Sequence, residues 1–286
     1  MDNVKRPICI AGMGTMGRSL AKLYASKNFN VKIISRTPES GRRGMDRLLG
    51  ELKARVDKGK LSQEEYSAIT SRIILARDLT EFADAEIIIE AIYEDEKVKE
   101  EFYRAIEPKI PENTVIATNT SSLSIEELSG HLKHPSRFVG VHFFNPAEVM
   151  KLVEIRRSGK TGESTAVLAI EISKRLGKTP INVPDSPGMY VNRILLPMLL
   201  EGISVLETTN SPIKDIDDAM KLGANLPMGP FELCDFIGND IVLEISEILL
   251  DHTGDLKFKS PELLRRMVKE GRLGRKSGRG FYEYKK

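Results

Sequence analysis

A glycine-rich turn close to the start of the chain sharply narrows the choice of fold. The turn Gly12-Met13-Gly14-Thr15-Met16-Gly17 follows the apolar run 8–11 and leads into a helical pattern at 19–24. In such a G-x-G-x-x-G turn the first glycine permits a tight bend, the second lets a pyrophosphate approach the backbone, and the third allows close helix–strand packing. The helix N-terminus adds N–H donors and positive potential. This context predicts a dinucleotide-binding unit whose cofactor contacts are Gly12, Gly14, Thr15, Met16 and Gly17.

The distribution of apolar runs predicts two domains of different class. Up to about residue 183, short strand-like runs alternate with helical patterns, which is typical of a parallel sheet covered by helices. Capping-box patterns at Ser62 and Ser124 predict two helix starts, and the amphipathic segment 44–59 predicts a further helix. After the turn-rich segment 184–188 the patterns are almost all helical, at 191–208, 213–222, 231–250 and 261–270. We therefore predict the α/β class, with a Rossmann-like dinucleotide-binding domain at 1–184 followed by an all-helical C-terminal domain at 185–286.

The residues at the end of the second predicted strand bear on which dinucleotide is bound. About 20 residues beyond the glycine turn, an acid is expected to bind the ribose 2′-hydroxyl of NAD. Ser35 and Arg36 occupy this place, and Arg42, Arg43 and Arg47 follow. A hydroxyl and a guanidinium can hydrogen-bond a 2′-phosphate, which a carboxylate would repel. We therefore predict NADP in preference to NAD; the alternative is that Arg36 is an ordinary solvated residue.

A second group of reactive side chains follows three later strand-like runs. Ser121 comes after the run 115–117, His142 follows the apolar run 138–141, and Glu154 lies 12 residues beyond His142. Ligands of open α/β sheets lie outside the carboxyl ends of the strands. We therefore predict a histidine–carboxylate pair served by a strand-end serine. Each residue also has a structural alternative: a buried histidine, an ion-pair glutamate, or a serine in the turn that enters a helix.

Seven ordered motifs carry a resemblance to a known family over nearly the whole chain. They are Gly12 to Gly17, Glu90-Ala91-Ile92, Asn119 to Ser122, His142-Phe143-Phe144-Asn145-Pro146, Asp185-Ser186-Pro187-Gly188 with Asn192-Arg193, Pro227-Met228-Gly229-Pro230-Phe231-Glu232-Leu233, and Gly274-Arg275-Lys276-Ser277-Gly278-Arg279-Gly280-Phe281-Tyr282. With these motifs the sequence resembles the L-3-hydroxyacyl-CoA dehydrogenase family, whose short bacterial and archaeal members are often called 3-hydroxybutyryl-CoA dehydrogenases.

The resemblance implies roles for four catalytic or substrate-binding residues. His142 would be the general base that takes the proton from the 3-hydroxyl as hydride leaves C3, and Glu154 would hold the imidazole and stabilise its charge. Ser121 and Asn192 match the family positions that hydrogen-bond and orient the substrate. On the residues alone, Asn192 could equally be a helix-start residue.

The resemblance also implies cofactor contacts beyond the glycine turn. Glu94 and Lys99 match family positions near the nicotinamide ribose, Asn145 lies beside the nicotinamide, and Lys276 sits in a tail that reaches back to the cofactor. On the residues alone, Lys99 would be a solvated helix lysine. A helical insertion at about 44–72 would contact CoA. Ser35 and Arg36 depart from the family pattern, because most members place an acid there.

The predicted function follows from the resemblance. It is an oxidoreductase of fatty acid metabolism that interconverts (S)-3-hydroxyacyl-CoA and 3-oxoacyl-CoA with NAD(P). A short-chain preference, for 3-hydroxybutyryl-CoA and acetoacetyl-CoA, rests on the single-function size of the chain. Two alternatives stay open: a family relative that oxidises a polar hydroxy acid such as L-gulonate, and a non-catalytic dinucleotide-binding homologue.

Composition bears on partners and location. The chain has 43 basic and 41 acidic residues among 286, a net charge of +2, so we expect no nucleic-acid partner bound through a broad basic face. No apolar stretch approaches the ~20 residues that span a bilayer, so no membrane partner is expected. Two cysteines give neither a disulfide framework nor a zinc spacing, and no metal site is predicted. We expect a cytoplasmic protein and, from the resemblance, a homodimer formed through the helical domain.

Overall fold

In the computed structural model, residues 6–284 are described. The chain divides into two compact units, the first ending at Asp185 and the second beginning at Ser186. The described part of the first unit holds one sheet of eight strands: β1 Ile8–Ala11, β2 Val31–Ile34, β3 Ile73–Leu75, β4 Ile87–Glu90, β5 Val115–Thr118, β6 Phe138–Phe143, β7 Leu152–Arg156 and β8 Thr179–Val183.

The strands lie in the order β3-β2-β1-β4-β5-β6-β7-β8. In this sheet β7 runs antiparallel to β6. The other pairs of neighbouring strands, including β7 and β8, are parallel. The predicted parallel sheet covered by helices is confirmed as the dominant arrangement, and the antiparallel pairing of β7 with β6 is an addition to it. Only the short segment 144–151 joins β6 to β7, and parallel neighbours need a crossover of a dozen or more residues.

Six helices cover the sheet: α1 Thr15–Ser26, α2 Pro38–Asp57, α3 Gln63–Thr70, α4 Glu96–Ile106, α5 Ile125–Ser129 and α6 Glu163–Arg175. All four residues of β1 are buried, and its alternating side chains enter two hydrophobic clusters: Ile8 and Ile10 join one, while Cys9 joins the other. Burying one such aliphatic side chain contributes roughly 1.5–3 kcal/mol. The two-sided burial explains why this strand has an unbroken apolar sequence.

Local capping chemistry sets several helix starts. The Ser62 side chain accepts from the Glu65 N–H and the Glu65 side chain accepts from the Ser62 N–H, which confirms the predicted capping box of α3. Ser124 caps α5 by accepting from the Glu127 N–H. The helix predicted at 44–59 begins earlier, at Pro38, because Thr37 caps α2 and proline suits the first helical turn.

Between Ser186 and residue 284, the second unit contains five α-helices: α7 Val191–Thr209, α8 Ile213–Gly223, α9 Pro230–Ile237, α10 Asn239–Thr253 and α11 Glu262–Lys269. The single helix predicted at 231–250 is wrong, because Gly238 has a φ of 108° and ends α9 before α10 begins. Short 3-10 turns lie at Leu79–Phe82, Glu107–Lys109, Pro135–Arg137, Leu256–Phe258 and Arg275–Ser277.

The helical unit has its own core. Leu199, Ile203, Phe231, Phe258 and Met267 are all buried in one cluster. The helix-covered sheet and the helical second unit confirm the predicted fold class. Across residues 6–284, no helix combines the length and the apolarity that crossing a bilayer requires.

Candidate active site

The three glycines of the turn between β1 and α1 differ in whether a larger residue would fit: only one of them has open space beside it. A Cβ on Gly12 would collide with the Ala91 carbonyl, and one on Gly17 with the Gly12 carbonyl. A Cβ on Gly14 would meet no atom within 4 Å. Gly14 is also the N-cap of α1, where no side chain caps the first N–H groups. The turn therefore fits a pyrophosphate, which needs an open backbone approach and N–H donors.

A cavity of about 410 Å³ adjoins this turn. Its lining includes Gly14 and Thr15 from the turn, Ser35 after β2, and the exposed side chains of Arg43 and Arg47 from α2. Among the described residues that line it, none is acidic. The cavity therefore combines the glycine turn with a basic wall.

The side chains around Ser35 differ in whether another side chain already binds them. The Ser35 hydroxyl lies 2.7 Å from the Ser40 hydroxyl near the start of α2. Arg36, which follows Ser35 in the chain, is exposed and is not among the residues that line the cavity, whereas Arg42 pairs with Glu39 at 3.2 Å. Met16, the other predicted contact of the turn, packs against the hydrophobic core.

His142 and Glu154 form a buried pair. The antiparallel register of β6 and β7 places them directly opposite each other, and His142 Nδ1 lies 3.0 Å from Glu154 Oε2. His142 is 7% exposed and Glu154 1%. Since an ionised carboxylate only accepts hydrogen bonds, the pairing assigns the proton of the neutral ring to Nδ1 and leaves Nε2 as the basic nitrogen. The antiparallel strand β7 is thus the one that completes the pair.

Ser121 lies in a loop fixed by a carboxylate. Glu94 Oε1 accepts from the N–H groups of Ser121 (2.9 Å) and Ser122 (3.2 Å), and also from the hydroxyls of Thr120 and Ser122. Burial raises the pKa of the Glu94 carboxyl. The charge of Lys99 and these hydrogen bonds together lower that pKa by more than burial raises it, so the pKa lies below its usual value. Within residues 6–284, no hydrogen bond engages the Ser121 hydroxyl, which is half-buried.

Lys99 is fully buried, so the interpretation as a solvated helix lysine is wrong. Its ammonium lies 2.6 Å from Glu90 Oε1 and 3.2 Å from Glu94 Oε2. Glu90 Oε2 accepts from the Tyr103 and Thr118 hydroxyls. Lys99 thus sits between two carboxylates at the carboxyl end of β4, and its predicted cofactor contact stays a prediction.

Asn145 is exposed in the segment between β6 and β7, which other elements hold in place. The Ala147 N–H donates to the Ser19 hydroxyl on α1 at 2.9 Å. The Lys178 ammonium donates to the carbonyls of Ala147 and Met150 at 2.5 and 2.7 Å. This anchoring fixes the chain just beyond Asn145.

Two predicted site residues belong to the second unit. Asn192 is the second residue of α7 and is half-buried. Lys276 pairs with Asp240 at 2.5 Å, in a tail held by Asp235, whose oxygens accept from the Phe281 and Tyr282 N–H groups. Their roles toward substrate and cofactor stay predictions.

Comparison with known proteins decides the family. The model for the NAD binding domain of 3-hydroxyacyl-CoA dehydrogenase matches residues 7–186, and the model for the C-terminal domain of the same family matches residues 188–284. The chain belongs to the 3-hydroxyacyl-CoA dehydrogenase family. The resemblance drawn from the seven motifs is thereby confirmed, together with a nicotinamide dinucleotide as the class of cofactor.

Relatives in this dehydrogenase family match over almost the full chain. A probable 3-hydroxybutyryl-CoA dehydrogenase of Bacillus subtilis is 42% identical, covering 98% of this chain and 97% of the relative. A 3-hydroxybutyryl-CoA dehydrogenase of Clostridioides difficile is 39% identical, covering 98% and 99%. The crystal structure of (S)-3-hydroxybutyryl-CoA dehydrogenase PaaH1 from Ralstonia eutropha superimposes with a TM-score of 0.89 at 38% identity, covering 98% and 99%.

Two residues to which the sequence analysis assigned no role also shape this dehydrogenase site. Asn119 Oδ1 accepts from the Phe143 N–H at 2.9 Å and so ties the end of β5 to the end of β6. Arg156, 1% exposed at the end of β7, donates to the carbonyls of Thr120 and Leu123. The one available signal for Arg156 was a charged residue directly after the apolar run of a strand.

Proposed function

We propose that this protein interconverts (S)-3-hydroxyacyl-CoA and 3-oxoacyl-CoA by hydride transfer with a nicotinamide dinucleotide. The observation that carries the proposal is the buried His142–Glu154 pair. Its basic nitrogen, Nε2, is left for a substrate hydroxyl at the sheet edge where ligands of open α/β folds bind.

His142 acts as the acid–base group of the reaction. In oxidation, Nε2 takes the proton of the C3 hydroxyl, and in reduction the imidazolium returns it to the C3 oxygen. Glu154 keeps the Nδ1 proton in place and stabilises the charged ring. Ser121 and Asn192 hydrogen-bond the substrate oxygen and orient C3. The nicotinamide, when bound, accepts or donates the hydride. A positioned general base contributes roughly 10²–10⁴-fold to the rate.

NADP is the preferred cofactor in this proposal. Ser35 and Arg36 stand where an acid would repel a 2′-phosphate, and Arg43 and Arg47 line the adjoining cavity. The glycine turn holds the pyrophosphate. Glu94, Lys99, Asn145 and Lys276 hold the nicotinamide half.

A short acyl chain is the preferred substrate. Relatives of nearly the same length are named 3-hydroxybutyryl-CoA dehydrogenase, which supports acetoacetyl-CoA as the oxo substrate. The helical segment at about 44–72, within α2 and α3, contacts CoA.

The assay that tests this function compares acetoacetyl-CoA reduction with L-gulonate oxidation, each with both dinucleotides. We expect turnover of the thioester and no significant oxidation of gulonate. Gulonate turnover without thioester turnover would instead identify a polar hydroxy-acid dehydrogenase.

We also propose a cytoplasmic homodimer. Residues 1–184 form the dinucleotide-binding domain, and residues 185–286 form the helical domain that contributes to the substrate site and to dimerisation. Ile194 and Leu222 expose apolar side chains on that domain, 74% and 85% accessible. Light scattering should give twice the chain mass of 32.0 kDa.

A further inference from the structure

The loop that carries Ser121 is held from two opposite sides. On one side, Glu94 accepts the N–H groups of Ser121 and Ser122. On the other, the guanidinium of Arg156 donates to two carbonyls: Nη2 to Thr120 at 2.5 Å and Nη1 to Leu123 at 2.9 Å. Backbone donors and acceptors on both flanks of Ser121 are therefore engaged, while the Ser121 side chain stays available.

The position of Arg156 links this loop to the acid–base pair. Arg156 and Glu154 are two residues apart in β7, so both side chains project from the same face of the sheet. Glu154 lies opposite His142 in the register, and Arg156 lies opposite Gly140. A Cβ on Gly140 would lie 2.7 Å from Ile125 Cδ1 and 3.0 Å from the Arg156 Cβ, so the glycine makes room for both side chains. One strand thus holds both His142 and the Ser121 loop.

The buried charge of Arg156 is compensated by three carboxylates: Asp185 pairs with it, and the charges of Glu94 and Glu154 also favour the charged guanidinium. Asp185 Oδ1 lies 3.6 Å from Nη1, and Asp185 Oδ2 accepts from the Ser124 hydroxyl and the Glu126 N–H at the start of α5. Within the described part of the chain, Arg156 Nε has no hydrogen-bond partner. A buried ion pair of this kind is weak evidence for stability, because desolvation offsets the attraction. Because the Arg156 guanidinium donates to two backbone carbonyls of the Ser121 loop, its geometry points instead to a role in positioning that loop.

We propose that Arg156 is a positioning residue that fixes the Ser121 hydroxyl relative to His142 by clamping the carbonyl side of the Ser121 loop. The inference rests on the proposed role of Ser121 in orienting the substrate. Arg156 acts only through the loop and touches neither substrate nor cofactor in this proposal.

A double-mutant cycle tests the clamp. Arg156→Lys keeps the charge, but one ammonium replaces a planar fork that reaches two carbonyls. We expect Arg156→Lys and Ser121→Ala each to lower kcat/KM for acetoacetyl-CoA roughly 10- to 100-fold, with dinucleotide affinity unchanged. The kcat/KM of the double variant should lie within about threefold of that of the less active single variant, because the clamp has no further effect once the Ser121 hydroxyl is gone. Effects that multiply, or an Arg156→Lys variant as active as the wild type, would overturn the proposal.

Arg137 supplies the matched control. It is also buried in the first unit and bonds to the Pro111 carbonyl and to Glu107. Arg137→Lys tests the general cost of altering a buried arginine, and its effect on activity should be small and independent of Ser121→Ala. If Arg156→Lys does not fold, the variant Arg156→Gln with Asp185→Asn removes both charges and enters the same cycle with the same expected coupling.

Hydrogen exchange separates failure of the clamp from failure of the proposed function. Arg156→Lys should speed amide exchange at Ser121 to Leu123 by roughly tenfold or more, and Arg137→Lys should not. Unchanged exchange in this loop would overturn the clamp even in an active enzyme. A wild type that reduces no 3-oxoacyl-CoA, with faster loop exchange in Arg156→Lys, would overturn the proposed function and leave the clamp of the loop supported.

Discussion

At the residue scale, the choice of dinucleotide depends on a few side chains after β2. Ser35 and Arg36 replace the acid that would bind a ribose 2′-hydroxyl and repel a 2′-phosphate. Arg43 and Arg47 add positive charge to the wall of the same cavity. In the proposed preference for NADP, the decisive residue is Arg36, since it is exposed and makes no ion pair within the described residues.

Replacing Arg36 with alanine should therefore affect one cofactor selectively. We expect kcat/KM with NADPH to fall roughly 10- to 100-fold, the worth of a charge-assisted contact, and kcat/KM with NADH to change little. Arg42→Ala is the control, because the Arg42 guanidinium already pairs with Glu39. An NADH preference that Arg36→Ala leaves unaltered would contradict the NADP assignment.

Glu94 gives the site a defined response to acid. Its pKa lies below the usual value in the folded state, so ionised Glu94 stabilises the fold. This contribution is fully present above the unfolded pKa of about 4.3 and is lost as pH falls through the lower folded pKa. Glu94→Gln should cost about 1–2 kcal/mol at pH 7. In urea unfolding, the difference in free energy of unfolding between wild type and variant should become smaller as pH is lowered below about 4.3. A difference that grows in acid would contradict this account.

At the element scale, we expect two glycines of the β1–α1 turn to serve different purposes, Gly17 in folding and Gly14 in cofactor binding. A Cβ on Gly17 would collide with the Gly12 carbonyl, whereas a Cβ on Gly14 would enter open space. We expect Gly17→Ala to destabilise the protein by about 1–3 kcal/mol. Gly14→Ala should leave the melting temperature almost unchanged but weaken dinucleotide binding roughly tenfold or more, because the pyrophosphate must approach the backbone there. Equal loss of stability in both variants, measured by thermal unfolding and cofactor titration, would contradict the assigned roles.

The elements also show where local sequence patterns stop being informative. The patterns at Ser62, Ser124 and Gly12 are local, and the structure contains the full capping box at Ser62, the N-cap at Ser124 and the strand–turn–helix at Gly12. The direction of β7 is not local, because an apolar run reads the same in either direction. The break at Gly238 was missed because a single glycine is tolerated within a helical pattern.

Burial of charged residues was likewise beyond the sequence pattern. Lys99 looks like any helix lysine until β4 and the loop after it place Glu90 and Glu94 around its ammonium. His142 and Glu154 could be paired in advance only as a hypothesis, since their contact depends on the register of two antiparallel strands. The family resemblance supplied the roles, and the tertiary structure supplied the contacts.

At the scale of the whole molecule, both units match one family in the expected order. The first unit holds the glycine turn, the Ser121 loop and the His142–Glu154 pair, and Asn192 and Lys276, whose roles are proposed, belong to the second. The central claim is that this arrangement performs dehydrogenase chemistry on a 3-hydroxyacyl thioester, with His142 moving the proton.

The most direct test is steady-state reduction of acetoacetyl-CoA by the wild type and by His142→Gln, with dinucleotide binding measured on both proteins. The account predicts turnover by the wild type, a loss of roughly 10²–10⁴-fold in kcat for His142→Gln, and equal dinucleotide affinity. A wild type that binds the dinucleotide but does not reduce the thioester, or a His142→Gln variant that reduces it as fast as the wild type, would contradict it.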